Sequence, residues 1–574
     1  MLQIAADAWV VRRLFLFILV VLALSAGSGA ARVQSATLGV YPSGTTFTAS
    51  GGAPAHPASS VSLAMPIGGV DDATLLVRSA QNVSIVTPTI APPLELKLFF
   101  AHYVSVDGKE VPDALMPWDG SQRATEHTNQ PLWVQVTAPY GTPSGTYSGS
   151  LVVVADGART TVSLSVTVAA VTLPKPNQVA GSLLTAFNFS PESYANKAAG
   201  LYGVSPDSTL PGLFSFLALY RLSPNSWGYG NPKVASGYTS DRRWWLDKTS
   251  QMVAAAGQPG QFASMWIPIS NNRWSPSTYV GGRSPFKPKD WCSYLRSVHS
   301  FWQNHGWLGG TYPYLYGMDE PGASRFRIVG QQAKVTHSCF AGSHVLVTGK
   351  PTAQNHFLWN GGKDDVDAWV VLASRYYGEY TNPWLSRRGI THATQELRLI
   401  NAARRHGKQI WTYTYDASSH STPGFTATEP ASNPRVFVDW AAFEGITGML
   451  YGEGTTTYSK GNPLVSNDRA RGSFVLVYPG RNGPIASARL EVLREGIEDW
   501  EILNIARHKH GAAAVRKLLS GLFSSTAKGA KLGCTIGCPI KTSTPYAWPT
   551  YSHDAGTPRT VASMRAAALR AASS

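Results

Sequence analysis

The sequence predicts two domains of different class, an N-terminal antiparallel β-sandwich followed by a (β/α)8 barrel of the TIM type. Residues 37 to about 172 alternate apolar and polar side chains in short segments between turns, which is the pattern of half-buried antiparallel strands. Strand-like and helix-like segments then alternate over roughly 330 residues, which is typical of a parallel barrel. The chain has 574 residues, a length that predicts two or three domains.

The N-terminus has the features of an export signal, predicted over residues 1–31. Arg12 and Arg13 precede an apolar run over residues 14–24, and small residues follow up to a cleavage site near Ala30. We therefore expect a secreted, extracellular protein. The alternative is that the segment is retained and anchors the protein at the cell surface, although the apolar run is short for a membrane span.

The β-sandwich domain is predicted over residues 32–175. Its clearest strands lie at 131–137, 145–154 and 160–168, where apolar side chains recur at every second position. The segment Leu173-Pro-Lys-Pro-Asn then indicates a linker, since two prolines in three residues cannot continue a central strand.

The barrel is predicted over residues 176–510, and a basic C-terminal extension over 511–574. Eight strands are expected at 182–189, 222–227, 262–269, 312–318, 345–348, 368–372, 409–415 and 448–451. Helices are expected between them at 210–221, 290–305, 323–340, 391–406 and 434–443, with 488–507 closing the series and a short one near 561–572.

Two adjacent acids, Asp319 and Glu320, directly follow the fourth predicted strand and precede Pro321. Barrel enzymes place their chemistry at the C-terminal ends of the strands. Paired carboxylates in different surroundings can divide into a proton donor and a charged partner, as the hydrolysis of glycosidic bonds requires. The structural alternative is a helix start, with Asp319 as N-cap and Pro321 in the first turn.

Composition and charge argue against several other classes of function. The formal net charge is +15, but no Lys/Arg-rich run concentrates it, so we expect no nucleic-acid partner. There is no Gly-rich phosphate loop, His-rich zinc motif or strand–helix nucleophile elbow. We expect neither a metal nor a cofactor.

Further residues near the predicted strand ends are candidates for binding a substrate. Aromatic side chains around a barrel mouth can stack on apolar faces of sugars, although core packing is the common alternative for any one of them. The strand ends carry Trp266, Asp416 and Glu453, the seventh strand contains Trp411 and Tyr413, and strand ends or loops carry Trp227, Trp274 and Tyr377.

Residues 487–503, SARLEVLREGIEDWEIL, resemble the signature helix of glycoside hydrolase family 123, many of whose relatives are described only as domain of unknown function 4091. The Asp-Glu-Pro tripeptide and the segments 407–413 and 477–480 fit the same family pattern. Weaker similarity extends into the sandwich at 130–136 and 145–149. The resemblance covers most of residues 125–507.

The resemblance implies a secreted β-N-acetylgalactosaminidase acting on a glycan or polysaccharide with retention. In that family the 2-acetamido oxygen of the substrate attacks the anomeric carbon. Carried over, Glu320 protonates the leaving oxygen, and Asp319 orients the acetamido group and stabilises its developing positive charge. This sequence departs from the pattern at Gly452-Glu453, where the family commonly has an aromatic residue, and this affects the expected sugar.

Two other functions stay open at the level of sequence. One is a glycosidase of another specificity that pairs Glu320 with Glu453 or Asp416, whose carboxylate separation would decide between retention and inversion. The other is a non-catalytic glycan-binding protein on the same scaffold. The sequence predicts no oligomeric state.

The charged residues of the signature helix also have a structural interpretation. Arg489, Glu491, Arg494, Glu495 and Asp499 are spaced so that several can pair along the helix or with its neighbours. We expect them mostly to fix the closure of the barrel. The alternative is that Arg494 or Glu495 reaches the site.

The four cysteines suit an exported chain. Cys534 and Cys538 lie in a loop-like setting that favours a small disulfide loop. Cys292 and Cys339 fall in predicted helices, where they are either buried thiols or a second disulfide.

Overall fold

The computed structural model describes residues 36–225, 262–267, 288–362, 364–373, 376, 391–414, 423–452, 455–523 and 557–574. Over these ranges, no helix combines the length and the apolar character that crossing a membrane requires.

The N-terminal part of the molecule is a β-sandwich, in agreement with the alternating sequence pattern. One sheet has the order β1-β3-β8-β5-β6 and the other β2-β10-β9-β4-β7. Neighbouring strands are antiparallel except β2 and β10, which run parallel. The strands are β1 Thr37–Pro42, β2 Val61–Ile67, β3 Val70–Arg78, β4 Asn82–Ile90, β5 Glu95–Val106, β6 Lys109–Pro117, β7 Arg123–Ala124, β8 Asn129–Thr137, β9 Gly145–Ala155 and β10 Ala158–Thr172.

The second part is a parallel, barrel-like sheet. Its order is β11-β17-β16-β15-β14-β13-β12, and each pair is parallel. The strands are β11 Leu184–Phe187, β12 Ser264–Trp266, β13 Tyr312–Met318, β14 His344–Thr348, β15 Ala368–Leu372, β16 Gln409–Thr414 and β17 Gly448–Tyr451.

The expected eighth strand at 222–227 is not part of this sheet in the described ranges, which hold seven parallel strands. Its described portion still lies beside β11. The amide of Phe187 donates to the carbonyl of Ser223 at 2.9 Å, and the amide of Asn225 donates to the carbonyl of Phe187 at 2.9 Å. The barrel is therefore nearly closed, and a single bridge stands in place of a full strand at this position.

Helices cover the outside of the barrel, and their boundaries follow the residues that start and stop helices. Helix α1 begins with Pro191 in its first turn and ends at Gly203, whose φ of 69° is in the left-handed region. The helices are α1 Pro191–Tyr202, α2 Pro206–Leu219, α3 Pro288–Asn304, α4 Phe326–Cys339, α5 Thr391–Arg405, α6 Asn433–Glu444, α7 Ala488–His510, α8 Ala512–Leu518 and α9 Thr557–Ser573. A hairpin of β18 Val477–Gly480 and β19 Gly483–Ala486 precedes α7.

A disulfide joins α3 to α4. It links Cys292 to Cys339, so these residues are bridged rather than free thiols. Cys534 and Cys538 lie outside the described residues. The bridge ties together the helices that flank the strand carrying the two acids, since α3 precedes β13 and α4 follows it.

The charged residues of α7 bond in two directions. Within the barrel, as expected, Glu495 and Asp499 bind Arg435 of α6, the latter at 2.6 Å, while the arginines join the barrel to the sandwich. Arg489 binds Asp113 of β6 through Nε at 2.9 Å and Nη2 at 2.7 Å. Arg494 binds Asp72 of β3 at 3.1 Å. Both arginines are almost completely buried. The aspartates that they bind lie in the sandwich, away from the strand that precedes Asp319 and Glu320.

Helix α9 completes this interface from the far end of the sequence. Arg565 is 1% exposed and binds Glu498 at 2.9 Å and Asp499 at 2.7 Å, both on α7. Its guanidinium also donates to the carbonyl oxygens of Val70 at 2.7 Å and Ala64 at 3.1 Å in the sandwich. A single side chain of α9 therefore bonds to both domains.

Candidate active site

The site begins with an irregularity in strand β13, all of whose residues are buried. Tyr316 pairs with Leu346 of β14, but Met318 pairs with Val347, so β13 has one extra residue relative to β14 between these pairs. A bulge of this kind bends a strand and re-aims the side chains that follow it. Here it brings Asp319 beside Thr348, the last residue of β14.

The carboxylate of Asp319 is held by two hydroxyl groups. Tyr316 donates to Oδ1, and Thr348 Oγ1 donates to the same oxygen at 2.8 Å. Thr348 is 1% exposed, and Asp319 itself is half-buried. Because both donors meet Oδ1, Oδ2 takes no part in these two bonds.

Glu320 has different surroundings although it is the next residue. Its backbone φ is +41°, in the left-handed region that costs a residue with a side chain on the order of 1–3 kcal/mol. Its amide donates to Thr348 Oγ1 at 2.5 Å, and the hydroxyl of Tyr413 donates to its Oε1. The side chain is exposed. The strained backbone thus turns Glu320 away from its neighbour and toward open space.

That space is a cleft of ≈ 290 Å³ at the C-terminal ends of β14, β15 and β16. Among the described residues its walls are aliphatic and aromatic, with amide, hydroxyl and ammonium groups between them. They are Glu320, Pro321, Phe326, Thr348, Gly349, Lys350, Thr352, Asn355, Trp369, Val371, Leu372 and Tyr413.

One wall of the cleft is a short loop after β14, organised by the side chain of Asn355. Its amide nitrogen donates to the carbonyl of Lys350 at 3.0 Å, and its oxygen accepts from the amide of Thr352 at 2.7 Å and the indole of Trp359 at 2.9 Å. Asn355 is 1% exposed. The loop is therefore a fixed surface beside Glu320.

The structure brings together Asp319, Glu320 and Tyr413 of the candidates chosen from sequence. Tyr413 lines the cleft, and its hydroxyl bonds to Glu320. Trp266 is 5% exposed within β12. The other candidates, Trp227, Trp274, Tyr377, Asp416 and Glu453, lie outside the described residues, and so does the separation of Glu320 from Asp416 or Glu453.

Trp411 is part of the barrel core and does not line the cleft, which corrects its choice as a binding residue. It has no exposed surface, and its indole nitrogen donates to Gln409 Oε1 at 2.7 Å. Its ring lies 5.9 Å from that of Tyr312 and 6.2 Å from that of Tyr314. Both partners are on β13 before the bulge, so Trp411 packs below the level of the acids.

Sequence reasoning missed several residues of the site. Thr348 and Tyr316 bind the acids, and Lys350, Asn355 and Trp369 line the cleft. A signal was present for Thr348, because the C-terminal ends of neighbouring parallel strands meet at one edge of the sheet. A threonine ending the strand next to the acids is therefore close to them.

Comparison with known families identifies the barrel. Residues 274–506 match the model for the catalytic domain of glycoside hydrolase 123, and this range includes both acids and most of helix α7. From β13 onward the barrel carries a glycoside hydrolase 123 catalytic domain. The family 123 enzyme is thus a glycosidase, and its substrate is a glycan.

One solved structure shares this fold. A family 123 glycoside hydrolase from Clostridium perfringens, analysed for glycolipid glycan hydrolysis, matches with a TM-score of 0.62 and 14% identity over 94% of this chain and 99% of that chain. A β-glucuronidase 2 of Bacteroides uniformis has a TM-score of 0.30 and 11% identity over 82% of this chain and 50% of that chain. A search of curated proteins finds no match. The first match extends over both domains, so the two proteins share the arrangement of a sandwich followed by a barrel.

A metal centre is not formed by the described part of the family 123 enzyme. No group of three or more His, Cys, Asp or Glu side chains within the described ranges is arranged to hold a metal ion. The titratable groups of the cleft that the structure describes are Glu320, Lys350 and Tyr413.

Proposed function

We propose that the enzyme hydrolyses glycosides of 2-acetamido sugars, of the N-acetylgalactosamine type, with retention of anomeric configuration. The observation that carries the proposal is that the two acids have different hydrogen-bond partners and different exposure. Two hydroxyl donors hold Asp319 at Oδ1, as suits a carboxylate that stays charged. Glu320 faces the cleft with one bond from Tyr413, as suits a group that gives and takes a proton.

The adjacency of the acids favours participation by the substrate. Retaining enzymes with a protein nucleophile place their two carboxyl groups about 5–5.5 Å apart on either side of the scissile bond. Asp319 and Glu320 follow one another at the end of a single strand, so they approach a sugar from the same side. A nucleophile carried by the sugar removes the need for a carboxylate on the opposite face.

The proposed reaction has two steps. The acetamido oxygen attacks C1 while the bond from C1 to the leaving oxygen breaks, and Glu320 gives its proton to that oxygen. Asp319 accepts a hydrogen bond from the acetamido N–H and stabilises the positive charge of the cyclic oxazolinium ion. Water then attacks C1 and Glu320 takes its proton, which reopens the ring and releases the sugar with its original configuration.

The relative from Clostridium perfringens, which was studied for hydrolysis of glycolipid glycans, guides the choice of substrates. We propose glycans ending in a 2-acetamido sugar, on lipid or polysaccharide. We also propose export of the enzyme, a proposal supported by the Cys292–Cys339 bridge, since disulfides persist in oxidising compartments. N-terminal sequencing of exported enzyme tests this, with a mature end near residue 31 expected.

The test of mechanism compares Asp319→Asn with wild type on aryl glycosides of N-acetylgalactosamine, N-acetylglucosamine and galactose, with the product anomer followed by NMR. Wild type should cleave only the acetamido sugars and release the retained anomer. Asp319→Asn keeps the shape but loses the charge, so the loss should fall on kcat. A thiazoline analogue of the cyclic intermediate should bind the wild type tightly and the variant weakly.

The alternatives predict different outcomes. Cleavage of the galactoside at an equal rate would contradict substrate assistance. An active Asp319→Asn variant together with an inactive Glu453→Gln variant would move the reaction to a pair formed by Glu320 and Glu453. Glycan binding without turnover on any of the substrates would indicate a binding protein.

A further inference from the structure

The hydroxyl group of Thr348 is bonded to both acids at once. Its oxygen accepts the amide hydrogen of Glu320 at 2.5 Å and its hydrogen is donated to Asp319 Oδ1 at 2.8 Å. The hydroxyl of Tyr316 lies 3.2 Å from the same oxygen. A threonine hydroxyl has one hydrogen to donate and two lone pairs, so the bond to Asp319 uses its single donor.

The backbone around Thr348 gives it a fixed position. It is the last residue of β14, where it pairs with Val370 of β15. The preceding residue, Val347, pairs with Met318 of β13 across the bulge. Only 1% of Thr348 is exposed, and strands flank it on both sides. Its side chain is therefore held in one position.

Glu320 needs such a restraint because its backbone conformation is unfavourable. Its φ of +41° lies in a region that residues with a side chain seldom adopt unless the surroundings impose it. The bond from its amide to Thr348 is the described contact that acts on this part of the backbone. Tyr413 acts on the other end of the residue, at the carboxyl group.

We propose that Thr348 is a positioning residue that sets the orientation of the two acids relative to each other. Its hydroxyl oxygen bonds to both the carboxylate of Asp319 and the backbone amide of Glu320. The orientation of Glu320, the proton donor, is thereby fixed relative to that of Asp319, the charged partner. This inference rests on the proposed roles of Asp319 and Glu320. Thr348 acts through the two acids and does not itself transfer the proton.

The test replaces the hydroxyl and nothing else. Thr348→Val has nearly the same shape but can neither donate to Asp319 nor accept from Glu320, whereas Thr348→Ser keeps both bonds. The matched control is Thr412→Val, since Thr412 is a barrel threonine with no exposed surface whose hydroxyl donates to the backbone carbonyl of Val371 at 3.0 Å. Thr348→Ala serves as a second hydroxyl-free variant if Thr348→Val fails to fold.

The expected result is a loss in kcat on the order of 10²-fold for Thr348→Val, the size of effect that a displacement of about 1 Å of catalytic groups produces. KM for the aryl glycoside of N-acetylgalactosamine should change little. Thr348→Ser should recover most of the rate, and Thr412→Val should resemble wild type. In the Asp319→Asn background, Thr348→Val should lower kcat much less than it does in the wild type, because the two residues act as a unit.

Two outcomes overturn the inference. One is a Thr348→Val variant with the kcat of Thr412→Val. The other is a Thr348→Ser variant as slow as Thr348→Val, which would assign the effect to packing of the methyl group. Failure of the proposed function looks different, because Asp319→Asn and Glu320→Gln would then stay active whatever stands at position 348.

Discussion

At the scale of single residues, the main feature of the site is that two neighbouring carboxyl groups have different surroundings. A bulge in β13 places Asp319 against Thr348, and a left-handed backbone turns Glu320 toward the cleft. The two acids thereby receive different partners, two hydroxyls for one and a tyrosine for the other. The proposed mechanism uses this difference, because an acid catalyst and an electrostatic partner need different surroundings.

Replacing Glu320 by Gln tests its role as the proton donor. We expect kcat/KM to fall by roughly 10²–10⁴-fold on a natural glycan, whose leaving oxygen needs a proton. An aryl glycoside with a good leaving group should lose much less. Steady-state kinetics on both substrates measure the difference, with Glu95→Gln, an exposed change in β5, as the control. Equal losses on the two substrates would contradict the assignment.

The sequence predicted the acids but only part of their surroundings. Asp319 and Glu320 were recognisable because two carboxylates directly after a buried strand have no structural reason to be there unless something pairs them. Thr348 and Tyr316 were not recognisable as partners, because a register shift between strands decides which residues face each other. Trp411 was misjudged because an aromatic residue within a strand has the same local pattern whether it faces the core or the mouth.

At the scale of the elements, the parallel strands were the most predictable part. The predicted bounds of β13, β15 and β17 equal those observed, because strands buried on both faces form short continuous apolar runs. The role of α7 was predicted less well. Its arginines pair with Asp113 and Asp72, which lie 376 and 422 residues away in sequence, and no local pattern carries that information.

Gly448 of β17 tests the packing of the barrel interior. A Cβ atom at this position would lie 2.2 Å from Cδ2 of Trp411, so Gly448→Ala should destabilise the enzyme by at least about 1–3 kcal/mol through overpacking. Thermal unfolding measures the loss. The control is Gly212→Ala in α2, where a Cβ meets nothing within 4 Å. An unchanged melting temperature for Gly448→Ala would show that Trp411 is free to move.

Arg565 tests the contribution of α9 to the interface. Arg565→Met leaves Glu498 and Asp499 without the guanidinium that binds them, and removing one partner from a buried ion pair costs about 3–5 kcal/mol. We expect a clearly lower melting temperature. Arg570→Met, at an exposed position of the same helix, should have almost no effect. Equal melting temperatures for the two variants would mean that α9 contributes little to stability.

At the scale of the whole molecule, the interface between the domains holds more acids than bases in a dry environment. Burial raises the pKa of Glu501 to about 8 despite the Arg221 guanidinium, which lies 2.8 Å from Oε2. Burial likewise raises the pKa of Asp71 to about 6, opposed by Arg565. Asp72 and Asp439 are shifted upward by the same cause. The folded protein therefore retains protons that the unfolded chain releases.

This retention fixes the sign of the pH dependence. Glu501 ionises near its ordinary value of 4.5 in the unfolded chain and near 8 in the folded one, so its contribution to stability is complete below about pH 4.5 and is lost as the pH rises toward 8. Asp71 loses its contribution between 3.8 and about 6. The melting temperature should fall between pH 5 and pH 8.5.

Glu501→Gln isolates one of these groups. The amide resembles the protonated acid at every pH, so the variant should match wild type near pH 5 and melt at a higher temperature at pH 8.5. Glu95→Gln, at an exposed site, should follow the wild-type curve. A Glu501→Gln variant with the same fall in melting temperature as wild type would refute the contribution of this carboxyl.

The position of Arg565 in the sequence also imposes an order in time. A ribosome releases Glu498 and Asp499 into solution 67 and 66 residues before it releases their arginine, and Asp71 far earlier still. Before Arg565 is synthesised, burying these carboxylates without a cationic partner costs free energy, and this cost opposes docking of the sandwich onto the barrel. We therefore expect the sandwich and the barrel to dock only after Arg565 has been synthesised.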